Sequence, residues 1–234
     1  MASAAERQPD LPVIGAAALF VLCAAAFTDL RLLSTAVPVP VPSMLAFRFE
    51  HHAWMFAAGF LGILFVSRGH LWSFGINSKN LPASMRWTAG AYAAAVSVAA
   101  FAVMTDAPLR AGWEGTADSG AAVLLSMLIL WMSSPVASQI LFFGFFQTML
   151  AKSIGYERRL GPVPAAVAIP VLLFAILPAE APFALPGGDT ALALLIGSYS
   201  ATAYWKTGSL IAPMLGHAVL LGLPFALSLA VRYV

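Results

Sequence analysis

Charge is what this sequence most lacks. Of its 234 residues, 12 are Lys or Arg and 10 are Asp or Glu, or 9% together, against about 25% in ordinary globular domains. So few charges cannot cover the surface of a soluble fold of this length. The formal net charge of +2 is too small and too dispersed for a nucleic-acid footprint, which sets nucleic acid aside as a partner. Cysteine occurs once, at Cys23, excluding an intramolecular disulfide and a cysteine-based metal cluster. Internal repeats and low-complexity tracts are also missing, apart from an alanine-rich run over 89–102.

What is present is apolar: hydrophobic residues make up 61% of the chain. Stretches free of Asp, Glu, Lys and Arg run over 11–28, 51–67, 87–105, 119–151, 160–179, 190–205 and 207–231. Crossing the hydrocarbon takes about 20 apolar residues. The sequence therefore predicts an all-α, polytopic integral membrane protein of about seven transmembrane helices. These form a single transmembrane domain over 1–234, with a polar N-terminal tail at 1–10. A further charge-free stretch, 32–47, carries Pro38, Pro40 and Pro42 and is expected to be an extended loop. The stretch 119–151 is too long for one straight crossing and contains Ser133-Ser134-Pro135, so a long kinked helix is expected there.

Residues 11–28 are expected to be a retained helix, because Arg7 is the one basic residue before them and no small-x-small cleavage site follows. Loop charges orient the chain. Arg7, Arg68, Lys79, Arg86, Lys152, Arg158, Arg159 and Lys206 fall on the N-terminal side, and Arg31, Arg48, Arg110 and Arg232 on the other. This bias predicts a bacterial inner membrane location with a cytoplasmic N-terminus. Within it, Lys152, Arg158 and Arg159 mark a loop near anionic headgroups. The segment 68–86 holds Trp72 and Phe74, with Trp87 just beyond it, and reads as an interfacial anchor.

Ionisable groups inside spans are expensive and therefore functional by default, but here they are scarce. Every carboxylate falls at a span edge, in a loop or in the N-terminal tail, so no general base or metal ligand of that type is expected at mid-depth. Of the four histidines only His217 lies well inside a span, while His51 and His52 stand at the start of one. Imidazoles at a membrane edge can ligate haem or a chlorophyll-type pigment, although capping the span is their plainer role. No metal site or cofactor is predicted.

The run Ser138-Gln-Ile-Leu-Phe-Phe143-Gly144-Phe-Phe-Gln147 resembles the first motif of the CPBP family, the CAAX-protease and bacteriocin-processing (Abi) intramembrane proteases. There the pattern is Glu-Glu, three residues, Arg-Gly, an aromatic or aliphatic pair and Gln. The family's second element, Phe, three residues, His, aligns with Phe174 to Pro178. Its third, His followed four residues later by Asn or Asp, aligns with His217 and Leu221. The lead-in Tyr204-Trp-Lys-Thr-Gly-Ser-Leu210-Ile-Ala-Pro-Met-Leu-Gly-His217 is similar to the family's own, and the resemblance covers about 119–221.

The resemblance implies a CPBP-like helical bundle, and a CAAX-type membrane endopeptidase wherever the catalytic set is complete. In this chain Ser138 and Gln139 replace the glutamates, Phe143 the arginine, Pro178 the first histidine and Leu221 the Asn or Asp, leaving His217 alone. The expectation is a pseudoprotease that acts by binding, as a structural or assembly subunit of a membrane complex. Its partners would be membrane lipids and other transmembrane proteins. The rival is an active endopeptidase with a reorganised site around His217 and Glu180. The aromatic groups Phe142, Phe143, Phe145 and Phe146 suit either a binding cavity or plain lipid contact. A transporter is disfavoured, since apart from the prolines Pro135 and Pro170 no span is broken or charged at mid-depth.

Overall fold

Proline and glycine punctuate the helices, and the apolar runs between them pack. A computed structural model of the chain describes residues 43–104, 133–176 and 188–233. Helix α1 (Ser43–Ser67) starts directly after Pro42 and ends before Arg68 and Gly69, both at positive φ. A 3₁₀ turn, Leu71–Phe74, leads through Gly75 (φ 81°) toward α2 (Leu81–Met104). Helix α3 runs over Ser133–Ile154, and its middle, Gln139–Gln147, is π-helical. Strands β1 (Arg159–Leu160) and β2 (Val163–Pro164) form a two-residue antiparallel hairpin that pairs Arg159 with Pro164 and Leu160 with Val163. Helices α4 (Ala165–Ile176), α5 (Gly188–Thr207) and α6 (Ile211–Tyr233) complete the described chain.

A helix stands over each charge-free stretch from residue 51 onward, although the stretch 119–151 is described only from Ser133. The stretches at 11–28 and 32–42, Cys23 included, lie outside the described residues. Several boundaries need correction. Helix α1 begins eight residues before the apolar run and encloses Arg48 and Glu50, which the sequence had left at a span edge or in a loop. The extended reading of 32–47 therefore fails from Ser43 on. Helix α2 starts at Leu81 and shortens the loop 68–86. Absence of charge locates the apolar part of a helix, whereas the backbone continues until a proline or a left-handed residue stops it. At 160–164 the hairpin replaces the expected helix start, turning at Gly161 (φ 63°).

Among the described residues, Ser133–Ile154 is the one helix both long and apolar enough to cross a membrane; His52–Ser67, Ala165–Ala175 and Ile211–Gly222 are shorter apolar stretches. Helix α3 is also central, with 89% of its most apolar window buried by the other helices. Around it lies one core of Ile63, Phe74, Leu141, Phe142, Phe143, Phe145, Phe146 and Leu210. A second core joins Ala91 and Ala95 of α2 to Leu192 and Ile196 of α5 and Leu220 of α6. Ala91, Ala95 and Ala99 recur every four residues and are all buried. That spacing gives α2 one small-residue face, and small side chains let helix backbones draw close where lipid offers no hydrophobic drive.

The closest approach joins α1 to the π-helical stretch. A Cβ on Gly59 would stand 2.9 Å from the backbone N and Cα of Leu141. Backbone cannot swing aside as a side-chain tip can. Gly59→Val is expected to cost about 1–3 kcal/mol, read as a lower unfolding temperature of the detergent-solubilised chain. Gly90→Ala, where a Cβ meets nothing within 4 Å, should leave that temperature unchanged or slightly raised.

Candidate functional site

Some of the motif positions converge where α3, α4 and α6 meet. Helix α3 contributes Ser134, Ser138 and Gln139, α6 contributes His217, and α4 contributes Phe174. Gln139 Nε2 stands 2.9 Å from His217 Nδ1, and Ser138 Oγ stands 3.3 Å from the same nitrogen. The Ser138 hydroxyl donates to the Ser134 carbonyl at 2.7 Å. All three of Ser138, Gln139 and His217 are buried, Gln139 completely. The edge-to-face contact of Phe174 with His217, at 5.9 Å and 89°, fixes the plane of the imidazole. Phe174 also meets Phe142 at 5.4 Å and Phe143 at 5.9 Å.

Proton accounting defines what this arrangement can do. The Ser138 proton is directed at the Ser134 carbonyl, so Nδ1 takes its hydrogen bond from the Gln139 amide, and the ring proton then sits on Nε2. Both groups at Nδ1 are neutral. A carboxylate there would hold an imidazolium and raise the basicity of the ring, whereas an amide and a hydroxyl only orient it. Gln139 Oε1 is buried and finds no hydrogen-bond partner among the described residues, an arrangement that costs free energy in an apolar interior.

The other positions singled out by sequence fall as follows. Phe143 is fully buried beside Phe174. Leu221 packs at the edge of the second core rather than joining the cluster at His217. Pro178 and Glu180 lie outside the described residues, as does the side chain of His51. His52 is buried on α1, with Nδ1 3.0 Å from Ser133 Oγ. Helix α3 thus carries polar partners for two imidazoles, Ser133 toward His52 and Ser138-Gln139 toward His217. Among the described residues no group of three or more His, Cys, Asp or Glu comes together to hold a metal.

Two further buried polar contacts were missed by the sequence reading, both between α3 and α5. Gln147 Nε2 donates to the Ala201 carbonyl at 3.0 Å, and Thr148 Oγ1 meets Tyr204 Oη at 2.6 Å. Gln147 had been noted only as the last letter of a motif and Tyr204 only as the first of another. Their shared apolar neighbourhood was the available signal, since a polar side chain in lipid must find a partner.

The geometry makes Gln139 the residue that holds the ring of His217. Gln139→Leu is expected to destabilise the chain by about 1–3 kcal/mol, whereas Leu221→Asn, away from the cluster, should not change how the imidazole is held. Histidine NMR signals together with the unfolding temperature distinguish the two.

Residues 120–221, just under half of the chain, match the family described as Rce1-like, the type II CAAX prenyl endopeptidases. No curated protein and no solved structure matches the chain. The matched segment contains α3, the hairpin, α4 and α5 and reaches through His217 on α6, so it holds every residue of the cluster. Over that segment the chain is similar to this membrane-embedded family of CAAX-type endopeptidases.

Proposed function

We propose that this chain is a non-hydrolytic member of the family that acts by binding, as a structural or assembly subunit of a membrane protein complex. The observation that carries the reading is that Gln139 and Ser138 stand at Nδ1 of His217, at the positions that align with the family's paired glutamates. Peptide hydrolysis needs a base to take a proton from water and donors to receive the developing oxyanion. Exposed Phe56, Leu61 and Phe65 on α1 suit contact with lipid tails or with the helix of a partner. In the same proposal the chain crosses a bacterial inner membrane seven times, with its N-terminus in the cytoplasm. Charge-free stretches and the loop-charge bias support that topology.

The test is purification of the tagged full-length chain in mild detergent, with mass spectrometry, an absorbance spectrum and a cleavage assay on a prenylated CAAX peptide. A stoichiometric transmembrane partner retained by His217→Ala, together with no cleavage, is expected. Cleavage that His217→Ala or Glu180→Gln abolishes would overturn the proposal in favour of a reorganised protease. A visible absorbance band lost in His51→Ala or His52→Ala would identify the complex as carrying pigment or haem.

A further inference from the structure

Three short segments that are far apart in sequence meet at one end of the bundle: 68–80, 155–164 and 208–210. Side-chain amides tie the first to the last. Asn77 Nδ2 donates to the Gly208 carbonyl at 3.1 Å, and Asn80 Nδ2 to the Thr207 carbonyl at 2.9 Å. Ser209 Oγ donates to the Asn77 carbonyl at 2.8 Å, and the Leu210 N–H to the Gly75 carbonyl at 2.9 Å. The middle segment joins them through aromatic rings. Lys152 Nζ lies 4.0 Å from the centre of the Phe74 ring, and Tyr156 packs on Trp205, whose ring carries Lys206 Nζ at 3.9 Å. The connections are too short to form a separate domain, so what they carry stays at the level of the helix ends.

What they carry is positive. Arg68, Lys79, Arg86, Lys152, Arg158, Arg159 and Lys206 are all exposed. Across 68–86, 152–164 and 206–210 the one carboxylate is Glu157. Set among these cations are exposed apolar side chains: Trp72 at 56%, Leu160 at 51% at the hairpin and Val163 paired with it. Trp72 is further held by an edge contact with His70 at 4.9 Å.

We propose that this end of the bundle is a preorganised binding surface for anionic phospholipid headgroups. Its cations would meet phosphates, while Trp72 and the Leu160–Val163 hairpin enter the boundary between headgroup and acyl chain. Charge complementarity selects an anionic partner. The interleaved tryptophan and aliphatic side chains favour lipid over an acidic soluble protein, because such side chains partition to the membrane interface. The ties between 75–80 and 207–210, and the bond from Arg159 to the Pro162 carbonyl, order the backbone that carries the cations before binding, which lowers the cost of ordering it then. The inference rests on the family's membrane embedding and on these contacts, and is independent of whether the site at His217 hydrolyses anything.

Lipid retention by the full-length chain tests it. The protein is purified in detergent with an equimolar mixture of phosphatidylglycerol and phosphatidylcholine, and the bound lipids are counted by native mass spectrometry. Retention should favour phosphatidylglycerol and weaken with added salt. Each cation near an anionic surface is worth roughly fivefold in affinity, so Arg158→Gln with Arg159→Gln should weaken phosphatidylglycerol retention by about tenfold or more. Glu157→Gln should retain at least as much as the parent. Equal retention of both lipids, or salt-independent retention by the parent chain, would overturn the proposal even if a variant failed to fold. So would a double variant that keeps its lipid but loses a bound acidic protein, which would make the surface a protein-docking face.

Discussion

A polar atom carried into an apolar bundle has to be answered by another protein atom, and in this chain helix α3 supplies most of the answers. It is the one described helix both long and apolar enough to cross a membrane, and it is largely enclosed by the others, yet Ser133, Ser134, Ser138, Gln139, Gln147 and Thr148 are spaced along it. Ser133 faces His52 on α1, and Ser138 and Gln139 face His217 on α6. Gln147 and Thr148 face Ala201 and Tyr204 on α5. Each pairing ties α3 to a different neighbour. With no water to compete inside a bilayer, such bonds discriminate between helix partners in a way that interchangeable apolar contacts cannot.

The π-helical stretch Gln139–Gln147 lies between the two ends of this polar series. Four phenylalanines crowd it, all buried, and two glycines make room for them. Gly59 brings α1 against the Leu141 backbone, and Gly144 admits the Leu210 side chain and the Phe74 carbonyl. Short stretches of π-helix are frequent at functional sites, and this one coincides with the family's first motif. Packing around α3 sets the shape of this segment, and Ser138, Gln139 and Phe143 are the side chains it carries at the positions that align with that motif.

The helices were legible in the sequence because apolar runs without charge leave little alternative in lipid. Their ends were less so. Arg48 and Glu50 interrupt an apolar run without interrupting a helix. The hairpin at Arg159–Pro164 was hidden because two paired residues per strand leave no periodic signature. In the candidate site, His217 and its alignment with Ser138 and Gln139 were legible through the family resemblance. That Gln139 is nearer the imidazole than Ser138 was not, since one residue along a helix is a rotation of about 100° or less, and only packing chooses the orientation.

By itself the sequence determined the solvent this protein folds in, because a chain with 9% charged residues has too little polar surface for water. It also carried the resemblance to CAAX-type endopeptidases, over the segment 120–221. Only the tertiary structure decided which helix lies at the centre, and which polar groups meet across it. It alone brought the cations of three separate segments to one end, two of them tied by Asn77, Asn80 and Ser209 and the third joined through aromatic contacts. The physical reason is that composition sums over the chain, whereas a hydrogen bond of 2.9 Å depends on where two distant backbones are placed.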